Sequence, residues 1–489
     1  DRAAHFDARK ARRAAEVRSR SGARTPIDRA RIARMAAHID KPTFTRADMV
    51  EIIGAQLPVD APDPRRLIED AVDVAALRVS APRQAHQREG HEKFTLDVIM
   101  AEEERVFDMI DAADSRARLW LRHDDLDGLS DDQARAISSI AASPFLVQPL
   151  QAPAGAGKTH SLKTLRAAAH HATKYVLVLA PTGKAVDEAL REQAGDRGLT
   201  VAKALNLIED DELDVRFTVV VIDEAAMVGT PQLRRLLAAT TAANVKTVLV
   251  GDPHQLAPIK ARGGMFEHLC TELPWSQRLS EVWRLCDHEE RHASLAVRAG
   301  HGNRLRKAVG WYRAHDRLHT GDPIAMAADA HAAYLADRAA GKNTLLVCDT
   351  WEMADALNQR LHDALTVDGP SARVSRDQQI RTGDIIISRH NDASLDVRPA
   401  PGHDRVDQVR NGNRWRVAGI ERGRIAAERL TDNAQVVFEG QYLREHVTLG
   451  YAATVHSHQG VTADTCHAIL SESASRAAAP NTPQPTTSA

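Results

Sequence analysis

Five short apolar runs mark the chain from residue 145 onward: "FLVQPL", "KYVLVLAP", "FTVVVIDE", "KTVLVGDP" and "NTLLVCDT". Most end at a polar or Gly/Pro break, and stretches of helical period separate them. A half-exposed strand alternates apolar with polar residues, whereas these runs are apolar at nearly every position. They therefore predict strands buried on both faces, in a parallel sheet joined by crossover helices, and the fold class is α/β. Residues 43–122 carry mostly helical period with polar breaks at "PVDAPDPRR" and "SAPRQAHQREG". From Arg381 to Thr448 the texture changes to "GDIIISRHN", "NRWRVAGI", "GRIAAERL" and "AQVVFEG", short strands parted by Gly, Asn and Asp. These predict a small β-barrel inserted within a second α/β unit. A chain of 489 residues is too long for one core, and roughly three or four domains is the natural division.

The chemistry begins at "QAPAGAGKTHSLKT", a Gly-rich turn between a strand and a helix. Gly155 and Gly157 allow backbone N–H groups, with those of Ala154, Ala156 and His160, to approach phosphate oxygens. Lys158 supplies a positive charge for the β- and γ-phosphates, and the Thr159 hydroxyl is a Mg²⁺ ligand. The strict pattern G-x-x-x-x-G-K-[ST] fails at Ala152, which would cost roughly 1 kcal/mol or more if that residue needed a positive φ. Pro149 inside the preceding strand is also unusual, because it removes a ladder donor. The run "TVVVIDEAAMV" ends with Asp223 and Glu224, a pair suited to holding a metal and activating water, or simply to capping the next helix. "TVLVGDPHQLAPI" ends with Asp252 and Gln255, whose amide suits sensing a γ-phosphate or an attacking water. Upstream, Gln133 in "LSDDQARAI" is a candidate for reading adenine.

In this order, each at a strand end, these segments resemble superfamily 1 DNA helicases of the RecD-like branch, specifically the helicase part of MobF-type (TraI- or TrwC-like) conjugative relaxases. The resemblance runs from about Leu129 to Arg476. It implies two RecA-like P-loop NTPase domains, at 123–275 and at 276–377 with 446–476, around an SH3-like barrel at 378–445. A basic leader (1–42), a mostly helical accessory region (43–122) and a disordered tail (477–489) complete the expected layout. "LAPTGKAVDEAL" resembles the DNA-contacting motif, with Pro181, Thr182 and Lys184. "LSEVWRLCDHEERH" resembles motif IV, which makes Arg284 the arginine finger from the second motor domain. "YAATVHSHQGVTAD" resembles motif V, with Thr454, His456 and Gln459 on DNA and Gly460 on nucleotide. Ser457 and His458 depart from the wider pattern, which often has Lys-Ser there. The implied activity is ATP- and Mg²⁺-dependent translocation along single-stranded DNA with 5′→3′ polarity.

Other readings stand beside this one. "HEERH" at 288–292 fits the zincin pattern H-E-x-x-H, with His288 and His292 on one helix face and Glu289 as base, or else a solvated helix face. Relaxase nicking needs an N-terminal Tyr nucleophile and a His cluster. The first tyrosine here is Tyr175, so this chain is not expected to carry that site, and any relaxase domain would precede Asp1. With no Met at the start, Asp1 is expected to be a cut end, and other conjugation proteins are candidate partners. The family's final motif brings a further arginine after an apolar strand. Arg476 follows Gln459 by 17 residues and is then succeeded by "AAAPNTPQPTTSA". The sequence thus predicts intact ATP·Mg²⁺ binding with impaired turnover, or an ATP- and DNA-binding remnant that does not unwind.

Composition narrows the setting. No apolar run nears the roughly 18 residues of a membrane span, and the first segment has no apolar core of a secretory signal. Cys270, Cys286, Cys348 and Cys466 lie far apart with no C-x-x-C, which suits a reducing cytoplasm. Net charge is −2, but residues 1–35 hold eleven Lys/Arg against four Asp/Glu. That basic arm suits a polyanion, and equally a solvated helix or linker.

Overall fold

The structure, a computed structural model, describes residues 41–54, several positions between 63 and 69, 76–81, and 92–470 except 217, 256–257, 259–260, 284, 286, 301, 367, 400–406, 459–460 and 462. Residues 1–40 of the expected leader and the whole expected tail, with Arg284, Gln459, Gly460 and Arg476, lie outside the described residues. The chain forms two compact units, Asp1–Gly300 and His301–Ala489.

In the first unit, β1 (Ala76–Arg78) and β2 (Phe94–Leu96) form an antiparallel pair. The helices Arg46–Gly54 and Asp97–Ile110 flank that pair in the chain. The accessory region is thus helical with a small β element that the helical period did not announce. Six further strands follow: β3 (Val147–Gln151), β4 (Tyr175–Ala180), β5 (Arg197–Thr200), β6 (Thr218–Ile222), β7 (Lys246–Gly251) and β8 (Gln277–Arg278). They form one parallel sheet in the order β5-β4-β6-β7-β3-β8.

The side chains show why the runs are continuously apolar. Val176, Val178, Val219, Val221, Val248 and Val250 enter one core cluster. Leu177, Leu179, Val220, Ile222 and Leu249 enter another. Successive residues of a strand point to opposite faces, so a sheet with a core on each side needs apolar residues at every position. Each such side chain stabilises the fold by roughly 1.5–3 kcal/mol.

Pro149 fits because of its parity in β3. Leu146 O accepts from Thr247 N and Ala152 N donates to Gly251 O, so even-numbered positions face β7. Odd-numbered Pro149 turns its missing donor towards the other side, where β8 pairs only with Leu150 and Gln151.

In the second unit, β9 (Thr344–Cys348), β19 (Ala452–Thr454) and β20 (Thr465–Ile469) form a parallel sheet in the order β19-β9-β20. Between β9 and β19 in the chain lie β10 (Ser371–Arg373), β11 (Gln379–Arg381), β12 (Ile385–Ser388), β13 (Asp392–Val397), β14 (Asp407–Val409), β15 (Arg414–Glu421), β16 (Arg424–Arg429), β17 (Gln435–Phe438) and β18 (Val447–Leu449). Five of these make an antiparallel sheet in the order β17-β16-β15-β12-β18 around fully buried Trp415, whose ring meets Phe438 edge-on at 5.4 Å.

β18 pairs with β12, which carries the sheet through Leu449. The first unit runs to Gly300, because β8 joins its sheet and Arg298 grips Asp252. No helix among the described residues is long and apolar enough to cross a membrane.

Candidate functional site

In the first unit, the residues singled out by the sequence gather at one edge of the sheet. β3, β4, β6 and β7 all run the same way, so the Gly-rich loop, Thr182, Asp223 and Asp252 follow the C-terminal ends of their strands. In α/β sheets this edge is where ligands bind. β7 lies between β3 and β6, so the Gly-rich loop and the acidic pair follow strands separated by one strand of the sheet.

The loop owes its shape to two left-handed glycines, Gly155 at φ 80° and Gly157 at φ 71°. Ala152 does not share that conformation. It is buried, has no positive φ, and donates its N–H to Gly251 O at 2.7 Å, so alanine there carries no strain. Gly157 is doubly required, since a Cβ on it would lie 2.2 Å from Gln133 Nε2. It also serves as N-cap of the helix Lys158–His171 and offers no side-chain acceptor to the first turn. The N–H groups at that helix start are therefore directed at whatever enters the loop, an arrangement that fits an anion. Thr159 is half-buried in the first turn, Ala156 is buried, and Ala154 and His160 are exposed.

Lys158 lies between the two acids: Nζ is 2.7 Å from Asp223 Oδ1 and 2.7 Å from Glu224 Oε1. Burial works against its charge, but the two carboxylates outweigh burial and hold the ammonium above the ordinary lysine range. Glu224 adopts a left-handed backbone at φ 52°, ψ 42°, and its N–H donates to the Asp223 carboxylate at 2.8 Å. A non-glycine residue held there stores roughly 1–3 kcal/mol of strain, a feature that concentrates at functional sites. Lysine, two acids and uncapped helix N–H groups make a donor set that fits a triphosphate with a divalent cation.

Gln133 has two partners within the protein. Its Oε1 accepts from Ser130 N at 3.1 Å, completing a capping box, and its Nε2 donates to Ala156 O at 2.9 Å. The residue proposed to read adenine thus also ties the helix Asp131–Ala142 to the phosphate loop. Thr182 caps the helix Gly183–Arg191 through its hydroxyl, which accepts from Ala185 N, with Pro181 before it and Lys184 in its first turn. Gln255 donates its N–H to Asp252 O at 3.0 Å.

Three contributors, Arg298, Asp132 and Trp283, escaped the sequence reading. Asp252 is buried and held by Arg298, with Nε 2.9 Å from Oδ2 and Nη2 2.5 Å from Oδ1. Asp132 accepts from the N–H groups of Ser280 and Glu281 at 2.7 and 3.1 Å. Trp283, more than half exposed, donates its N–H to Gly155 O at 2.7 Å, so the segment before Arg284 is anchored to the phosphate loop. The proximity of "VWR" to that loop has no local sequence signal.

The HEERH segment begins the helix His288–Ala299, capped by Asp287, with His288, Glu289 and His292 on the surface. The two imidazole rings lie 4.5 Å apart, and no group of three metal-ligating side chains occurs among the described residues.

In the second unit, Thr454 closes β19 and its Oγ1 lies 3.1 Å from Ser457 Oγ. His456 belongs to the short helix Val455–His458.

The fold is α/β, with a RecA-like parallel sheet carrying a Gly-rich loop at its C-terminal edge in the first unit and an SH3-like barrel in the second. Residues 128–323 match the family described as AAA domain, and residues 372–448 match the Rv2311 SH3-like barrel domain. Two conjugal transfer proteins TraA are similar along 71% of this chain. That of Sinorhizobium fredii, described as probable, is 31% identical over 364 residues, and that of Rhizobium radiobacter is 28% identical over 365. The chain spans 31% of the length of each. The Mycobacterium tuberculosis protein Rv2311 is 58% identical over 73 residues, 14% of this chain and 42% of that protein. Among solved structures, the Pif1 helicase from Bacteroides in complex with ADP-AlF3 and ssDNA aligns at 18% identity, covering 69% of this chain and 85% of that one, with a TM-score of 0.41. Pif1 from Candida albicans aligns at 16% identity, covering 68% and 87%, with a TM-score of 0.43.

Proposed function

We propose that the chain is an ATP-driven motor that translocates on single-stranded DNA, 5′→3′, as the helicase part of a MobF-type conjugation protein. The observation that carries the reading is the Lys158–Asp223–Glu224 triad facing a loop with two left-handed glycines. The likeness to TraA proteins along 71% of the chain supports the setting in DNA transfer.

In this reading the N–H groups of Gly155 to Thr159, the Lys158 ammonium and Gln133 hold ATP. Thr159 Oγ1 and Asp223 hold Mg²⁺, which when bound offsets phosphate charge. Lys158 exchanges its carboxylate partners for phosphate oxygens. Glu224 Oε1, released from Lys158, orders the attacking water and takes its proton, while Gln255 and Arg284 respond to the terminal phosphate. Pro181, Thr182 and Lys184 in the first unit, and Thr454, His456 and Gln459 in the second, contact the strand, mainly through phosphates.

The test is ATP hydrolysis by the full chain with and without oligo-dT. The motor reading predicts hydrolysis that the oligonucleotide stimulates. A chain that binds both ATP and oligo-dT yet shows no stimulation contradicts it and favours a binding protein without motor activity.

A further inference from the structure

Position 457, just after β19, is a serine, and the fold brings a cation to that spot from elsewhere. Arg389 follows β12 in the barrel sheet. Its Nη1 donates to Ser457 Oγ at 3.4 Å and its Nε to Thr448 Oγ1 at 3.1 Å. Ser457 Oγ is in turn 3.1 Å from Thr454 Oγ1. The Arg389 guanidinium carbon lies 4.5 Å from the ring centroid of Trp351, and that of Arg376 lies 4.5 Å from the same ring. Trp351 opens the helix that follows β9, and Thr454 ends β19, so the cluster sits where these two parallel strands finish.

The charge balance of this cluster is one-sided. Arg389 is half-buried and its hydrogen-bond partners are neutral hydroxyls. The acid it feels, Asp355, is engaged by Arg376 at 2.8 Å. Burial and the Arg376 charge pull the Arg389 guanidinium down to about 10. A cation enclosed without a counter-ion is costly, and an anion beside it offsets that cost. Packing against Trp351 alone would explain a structural arginine, but it does not explain why Nη1 reaches the Ser457 hydroxyl that Thr454 also meets.

We propose that Arg389, with the Ser457 and Thr454 hydroxyls, forms a phosphodiester-binding subsite for single-stranded DNA, supplying from the barrel a charge that Ser457 itself lacks. The inference rests on the reading of the chain as a DNA-binding motor. The ring of Trp351 fixes the guanidinium plane through cation–π contact.

The test is anisotropy of labelled oligo-dT titrated with the full chain across a salt series. Arg389→Ala is expected to weaken binding about tenfold. It should also make the slope of log K against log salt shallower by about 0.7, the contribution of one single-strand phosphate contact. Arg389→Lys should keep the slope, and adding Ser457→Lys to Arg389→Ala should restore it. Arg373→Ala, at an exposed arginine paired with Asp377, should change neither. An unchanged slope in Arg389→Ala, or a loss that Ser457→Lys does not restore, overturns the subsite. If the wild-type chain binds no oligo-dT, the motor reading itself fails, and the subsite with it.

Discussion

Lys158 in the first unit and Arg389 in the second are both enclosed cations near the C-terminal ends of parallel strands, yet they are neutralised differently. Lys158 holds two carboxylates at 2.7 Å, and its charge is reinforced. Arg389 holds two hydroxyls and an indole ring, and its charge is weakened. In the first case, under the proposed function, the acids also serve a metal and a water, so ligand binding there would rearrange existing ion pairs. In the second the cation has nothing to give up, and an anion adds to what is already in place. The difference separates a site that switches state from one that only holds.

The comparison can be broken through stability. Asp252 is buried in the first unit, and Arg298→Ala would leave its carboxylate without the ion pair that encloses it. Removing one partner of a buried pair costs about 3–5 kcal/mol. Arg389→Ala leaves only hydroxyls behind and should cost about 1 kcal/mol. Chemical denaturation of the two variants should rank them in that order. Equal losses would show that Arg389 is a structural charge of the same kind as Arg298.

A smaller, pH-dependent effect sharpens the same contrast. Glu103, in the helix Asp97–Ile110, is raised from 4.5 to about 7 by burial, with Arg262 pulling it down and Glu102 pushing it up. A carboxyl raised in the folded state contributes stability that is full below about 4.5 and is lost as pH rises through about 7. Glu103→Gln should therefore raise the unfolding midpoint by a few degrees at pH 8 and little at pH 5. A midpoint shifted equally at both pH values would contradict the burial of this charge.

The strands and the phosphate loop were legible because their signals are local. Continuous valine and leucine runs, two glycines before a lysine, and acids at strand ends all fall within a few residues of one another. The expected loss at Ala152 and the oddity of Pro149 both dissolved once backbone parity and φ were known, which sequence does not give. The roles of Arg298, Asp132, Trp283 and Arg389 were not legible, because each partner lies far along the chain. Asp252 and Arg298 are 46 residues apart, Asp132 and Ser280 are 148 apart, and Arg389 and Ser457 are 68 apart. Polar pairing of that range is set by topology, and no spacing rule reports it. The β1–β2 pair was hidden for a different reason: three-residue strands are too short to show a period of two.

The central claim is that the Lys158 triad seats a nucleotide, and equilibrium titration of a fluorescent ATP analogue with Mg²⁺ tests it most directly. The account predicts saturable binding to the full chain. Lys158→Ala, confirmed as folded by its thermal transition, should weaken that binding by about a hundredfold or more. Unchanged affinity in the folded variant would contradict the assignment of the site.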